Sequence, residues 1–133
     1  MHLHFTENAT QLILLAMIII VFIQSGLDKV FDWQGNLSWL KSHFEETPFS
    51  GLVPVLLGTI LVMELVAGIL SVMGFAHLLL FNDVVFAFYG ALLAAVTLLM
   101  LLLGQRVAKD YEGAKTIVIY LVPVCLLLFL VTK

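Results

Sequence analysis

Tracts without a single Asp, Glu, Lys or Arg divide this chain. Residues 8–27, 84–105 and 116–132 carry none of the four, and residues 47–82 carry only Glu64. A helix needs about 20 apolar residues to cross the hydrocarbon core of a bilayer. The pattern therefore predicts four spans, over residues 10–31, 52–75, 82–103 and 115–131. The second and third are separated by a tight apolar turn, residues 77–83. Boundary residues agree with these limits. Pro54 suits a first helical turn, where no amide donor is needed. Asn82 or Asp83 can cap the third span, and Gly74 and Gly104 mark expected stops of the second and third. The fourth span is short and is expected to reach farther at its start or to thin the bilayer locally. Pro123 lies inside it, where a proline is tolerated in membranes and kinks the helix.

The one substantial connection, residues 32–50, has a helical pattern of its own. Trp33, Leu37, Leu40 and Phe44 recur at intervals of four, three and four and so share a face, while Ser38, Lys41, Ser42 and Glu45 occupy the other. Asn36 is the expected cap. With Trp33, Trp39 and Phe44 at headgroup level, the segment is predicted to be a short amphipathic helix lying in the interface. The fold class is thus an all-α membrane protein: a four-transmembrane-helix bundle with an interfacial helix between the first two spans, forming a single domain.

Composition sharpens this picture. Of 133 residues, 62% are hydrophobic and 11% charged, against about half and about a quarter in soluble domains. Such a chain cannot cover a water-facing surface, and lipid is its expected solvent. A net charge of −3 offers no basic field for nucleic acid. The single cysteine, Cys125, excludes an intrachain disulfide or dithiol centre, and is expected to be a small packing residue. The segment before the first span holds Glu7 and no Lys or Arg, unlike the positive n-region of a signal peptide, so the first span is expected to be retained. Lys29, Lys41, Arg106, Lys109 and Lys115 flank the first and third loops, against Lys133 alone on the other side. That asymmetry places both termini outside.

Glu64 is the most informative residue. It lies ten residues after Pro54, hence ~15 Å into the bilayer at 1.5 Å per residue. Placing a carboxylate there costs roughly 2.5–3.5 kcal/mol, so it should face protein rather than lipid. Ala67, Gly68 and Ser71 share its face at i+3, i+4 and i+7, and small residues let membrane helices approach closely. The structural alternative is a hydrogen bond that locks two helices together. The first span ends Gln24-Ser25-Gly26-Leu27-Asp28-Lys29. Gln24 or Ser25 is the expected partner for Glu64. Lys29 either snorkels to the headgroups or bends inward to pair with Asp28, Glu64 or a ligand. The third span carries small-xxx-small pairs, Ala87 with Ala91 and Gly90 with Ala94, which speak of packing only. Tyr89, Thr97 and Tyr120 are isolated polar tips. His2, His4, His43 and His77 include no pair at the i, i+4 spacing of a helical metal site, so no metal is expected.

A first helix ending Ser25-Gly26-Leu27-Asp28-Lys29 before an amphipathic segment, and a second reading Glu64-Leu65-Val66-Ala67-Gly68-Ile69, resembles the DoxX-like family of small four-helix membrane proteins. The resemblance covers nearly the whole chain and rests on short motifs. It implies a bacterial inner-membrane location and a family site at Gly26, Lys29, Glu64 and Gly68. Some members resemble the small subunit of a thiosulfate:quinone oxidoreductase; others associate with redox-stress enzymes; distant eukaryotic relatives act as assembly chaperones or cargo receptors. The leading expectation is an accessory subunit or assembly factor of a membrane complex, with a polar pocket around Glu64 and other membrane subunits or further copies of itself as partners. The alternative is a quinone-linked redox component, in which Glu64 exchanges protons, Gln24 or Ser25 holds a quinone carbonyl and Lys29 stabilises negative charge. Transport of an ion or small molecule by an oligomer is the third.

Overall fold

In a computed structural model, residues 3–132 are described; His2, and Lys133 of the charge balance, lie outside them. After a short 3-10 turn at Thr6–Asn8, five helices follow: α1 (Ala9–Phe31), α2 (Trp33–His43), α3 (Val53–Phe81), α4 (Val85–Val107) and α5 (Tyr111–Val131). Four of them are long and apolar enough to cross a membrane. The chain is thus a small multi-pass membrane protein of the expected all-α class, and α2 is the short helix between the first two spans.

Helical periodicity decides which positions face inward. On α1, Leu12, Leu15, Ile18 and Phe22 are buried at steps of three, three and four, while Ile13 and Ile20 between them are exposed. Apolar residues on the outer face face lipid, which carries no hydrophobic penalty for them. α3 packs between α1 and α4, α5 packs on α4, and α5 closes back on α1. The predicted small residues of α4 (Ala87, Gly90, Ala91, Ala94 and Ala95) are all buried. Thr97 is fully buried too, and its hydroxyl donates to the Leu93 carbonyl at 2.7 Å.

Helix ends depart from the expected limits in an instructive way. α3 runs on to Phe81, past the expected stop at Gly74, and α4 passes Gly104 to end at Val107. Among the described residues no glycine has positive φ; the left-handed positions are Asn82 (φ 55°) and Lys109 (φ 61°). Asn82 is the cap that ends α3, not one that starts α4, and asparagine tolerates this conformation. Asp83 accepts from the Val85 amide at 3.1 Å and so supports the start of α4. Gly74 has a different use. A Cβ there would stand 2.6 Å from the Ala87 backbone nitrogen, so the missing side chain lets α3 and α4 touch backbone to backbone. α5 reaches farther at its start, as one of the two expectations for the short fourth span had it: it begins at Tyr111, with the Asp110 side chain accepting from the Gly113 amide at 2.9 Å. A charge-free tract marks the part in hydrocarbon; the hydrogen-bonded helix continues beyond it into polar residues. α3, with 29 residues, is about 43 Å long and exceeds the ~30 Å hydrocarbon core.

Two further corrections concern single residues. Asn36 does not cap α2, which begins three residues earlier at Trp33. Its amide instead donates back to the Asp32 carbonyl at 2.9 Å and to the Asp28 carboxylate at 3.3 Å. Cys125 is exposed rather than packed, because it follows Val124 onto the outer side of α5.

The ends of the bundle are each tied by polar contacts. On one side, the Asn8 side chain donates to the Asn82 side-chain oxygen at 2.8 Å, joining the start of α1 to the α3–α4 turn. On the opposite side, α2 lies across the bundle against the α4–α5 turn.

Candidate functional site

Glu64 sits midway along α3 and is 4% exposed. Its neighbour across the helix contact is Lys29, in the last turn of α1. The Lys29 ammonium lies 2.7 Å from Glu64 Oε1, with the two side chains 15% and 6% exposed. The same ammonium donates to Ser25 Oγ at 2.8 Å. The approach to Glu64 is off the line of a hydrogen bond, and Oε1 has no other partner among the described residues. Lys29 therefore does not snorkel to the headgroups; it bends inward and neutralises the carboxylate. Charge compensation explains the choice. An unpaired carboxylate at this depth costs more than the desolvation of one more lysine that has a partner waiting.

Two glycines make the pairing geometrically possible. A Cβ on Gly26 would lie 2.5 Å from Leu65 Cδ2, and one on Gly68 would collide with the end of the Ile23 side chain. Leu65 of α3 thus fills the notch at Gly26 of α1, and Ile23 of α1 fills the notch at Gly68 of α3. These reciprocal insertions flank the ion pair and bring the helices within reach of a single lysine side chain. Gly26, Lys29, Glu64 and Gly68, separated by up to 42 positions in sequence, meet at one helix contact, with Ser25 beside them.

Gln24 is not part of this cluster. It is exposed and lines a shallow groove made by α1 alone, together with Ile20, Leu27 and Asp28. At 100° per residue, Gln24 and Ser25 cannot both face α3, and the backbone gives that position to Ser25. Ser71 was grouped with Glu64 by its spacing, yet it faces α4: a Cβ on Gly90 would lie 2.7 Å from Ser71 Oγ. Its hydroxyl is buried and without a hydrogen-bond partner among the described residues.

Beside the ion pair lies a cavity of about 330 Å³, within the range of small-molecule sites. Lys29, Asn36 and Gln105 supply its polar lining. Val53, Leu57 and Ile60 of α3 and Leu101 and Gly104 of α4 supply apolar walls, and Trp39 and Leu40 of α2, with Phe44 just beyond its end, form the roof. The inward face of α2 is the predicted one: Trp33, Leu37, Leu40 and Phe44 are half-buried, and Trp39 is 59% exposed. Trp39 and the exposed Leu103 both line the cavity, so its rim is continuous with the lipid-facing surface.

Sequence reasoning missed the residues that hold the roof. His43 Nε2 lies 2.8 Å from Gln105 Oε1 and 3.6 Å from Asp110 Oδ2. Its ring stacks on Trp39 at 4.5 Å and meets Phe44 edge-on at 5.0 Å. His43 ends α2 and Gln105 lies in the last turn of α4, and nothing in their sequence spacing pairs two residues 62 positions apart. Among the described residues, no group of three or more His, Cys, Asp or Glu is arranged to hold a metal ion.

Comparisons with family models, curated proteins and solved structures find no match for this chain.

Proposed function

We propose that this membrane protein is a subunit that holds a neutral, lipid-soluble carbonyl compound, of the quinone class, in the cavity beside Lys29 and Glu64. The observation that carries the reading is that Lys29 belongs to both structures: it neutralises a buried carboxylate and lines a largely apolar cavity. An ammonium has three N–H groups. One is given to Ser25 Oγ at 2.8 Å, another reaches only the distant Ser25 carbonyl at 3.5 Å, and the contact with Glu64 is an off-axis ion pair, so donor capacity remains for a carbonyl oxygen in the cavity.

The charge balance selects a neutral ligand. Lys29 and Glu64 sum to zero, so an added anion would leave a net charge amid hydrocarbon, at roughly 2.5–3.5 kcal/mol. A quinone ring offers acceptors without charge, and its tail is compatible with a rim that meets lipid. Glu64 lies one hydrogen-bonding group away and is placed to take or give a proton through the ammonium. A single cysteine provides no intrachain dithiol, so the electrons in any redox cycle come from a partner. An accessory subunit of a bacterial inner-membrane complex fits these features, as does the resemblance to DoxX-like proteins at Gly26, Lys29, Glu64 and Gly68. The lysine asymmetry puts α2 and the α4–α5 turn on the cytoplasmic side.

Native mass measurement of the full chain, extracted in mild detergent with lipids retained, tests the reading. It should show partner subunits and an added quinone mass, and Lys29→Met should lose the quinone mass. A bare monomer without any adduct would remove the proposal.

A further inference from the structure

The cavity is roofed by an element that is fixed at one end and latched at the other. α2 starts immediately after α1, at a break where Asp32 has φ −129° and ψ 51°. This end is pinned by Asn36, which donates to the Asp32 carbonyl and the Asp28 carboxylate. The far end makes its polar contacts through one side chain, His43, to Gln105 and Asp110. Beyond it, residues 44–52 form a run of turns rather than a helix, and Gly51 within them stands in open space. The roof residues Trp39 and Leu40 lie between the pinned end and the latch, Phe44 immediately follows the latch, and His43 stacks directly on Trp39.

From this arrangement we infer that α2 is a lid, hinged at Asp32 and latched by His43 on Gln105, which parts from α4 to admit a lipophilic molecule sideways from the bilayer. The inference rests on the proposed ligand cavity and adds to it a route and a gate. Three observations fit together in it. The rim carries exposed apolar residues, Trp39 and Leu103, which suit contact with lipid better than with water. The polar hold on the far end is one side chain, His43, through its contacts to Gln105 and Asp110. The hinge end is tied to α1 by Asn36, which reaches Asp32 four residues back and Asp28 eight residues back, so the end free to move is the one that His43 holds.

The test uses the full chain with Cys125→Ala, carrying His43→Cys and Gln105→Cys, reconstituted in phosphatidylcholine vesicles. A reagent that joins the two thiols through a short disulfide-linked spacer ties the lid shut, and dithiothreitol releases it. The probe is a decyl-substituted benzoquinone, followed by its quenching of tryptophan fluorescence. A Leu56→Phe version of the same protein, which narrows the cavity, corrects for quenching by probe dissolved in lipid. Tying the lid should slow probe entry at least about tenfold and leave the final extent of binding unchanged, with the rate restored by dithiothreitol. Entry at equal rates in tied and released protein would overturn the lid. Absence of saturable quenching in the released protein would overturn the cavity reading itself, and the lid as a ligand gate with it. A measurement without ligand adds an independent check. His43→Ala should raise amide hydrogen exchange across residues 33–43 while α1, α3 and α4 stay protected; unchanged exchange in α2 would show that His43 latches nothing.

Discussion

Lys29 on α1 reaches 2.7 Å from Glu64 on α3, and each charge is tolerable in the membrane only because of the other. The pair is nearly buried, so removing one member strands its partner. Such a loss costs about 3–5 kcal/mol, whereas replacing both members with apolar residues of similar volume is often neutral or stabilising.

Single and double variants should therefore behave oppositely. Lys29→Met is expected to lower stability by about 3–5 kcal/mol, and Lys29→Met combined with Glu64→Leu to recover most of it. Reversible unfolding in mixed micelles measures both. A single variant within about 1 kcal/mol of the parent would contradict a buried pair.

The glycines should separate by what stands opposite them. At Gly26 and Gly68 an added Cβ meets the flexible ends of Leu65 and Ile23, whereas at Gly74 it meets the Ala87 backbone. Overpacking of this kind costs typically about 1–3 kcal/mol. Gly26→Ala is expected near the lower end and Gly74→Ala at or above the upper end, read by the same unfolding measurement. Leu65→Ala should relieve Gly26→Ala, while no side-chain substitution on α4 should relieve Gly74→Ala. Equal costs at the two glycines would refute the backbone contact.

The two tryptophans should report different surroundings. Trp39 is exposed and Trp33 half-buried, with its ring 3.9 Å from where a Cβ on Gly58 would stand. Phospholipids brominated near the headgroup should quench the Trp33→Phe protein, which keeps Trp39, at least about twice as strongly as the Trp39→Phe protein, in keeping with an interfacial helix. Stronger quenching of Trp33 would mean that α2 presents its other face to lipid.

Much of this architecture was legible in sequence because hydrocarbon is an unforgiving solvent. Every residue of a span must be apolar or sheltered, so the spans expected over residues 10–31 and 82–103 could be located, to within a few residues, from composition alone. The inward position of Glu64 followed from the cost of exposing it. The amphipathic face of α2 followed from a three-four rhythm that no loop requires. Helix ends were less legible, since Gly74 and Gly104 serve as contact points rather than stops, and Asn82 and Lys109 take the left-handed turns instead.

What sequence determined, then, was a set of membrane helices with one carboxylate that needed company, because lipid penalises each polar residue individually and locally. Tertiary structure decided who provides that company. Lys29 rather than Gln24 turns inward, since helix rotation is fixed by the mutual fit of Ile23, Gly26, Leu65 and Gly68. It also decided that His43 reaches Gln105 across 62 residues to close a roof over the cavity. Contacts between helices depend on shape at the shared surface, and no residue carries that information alone.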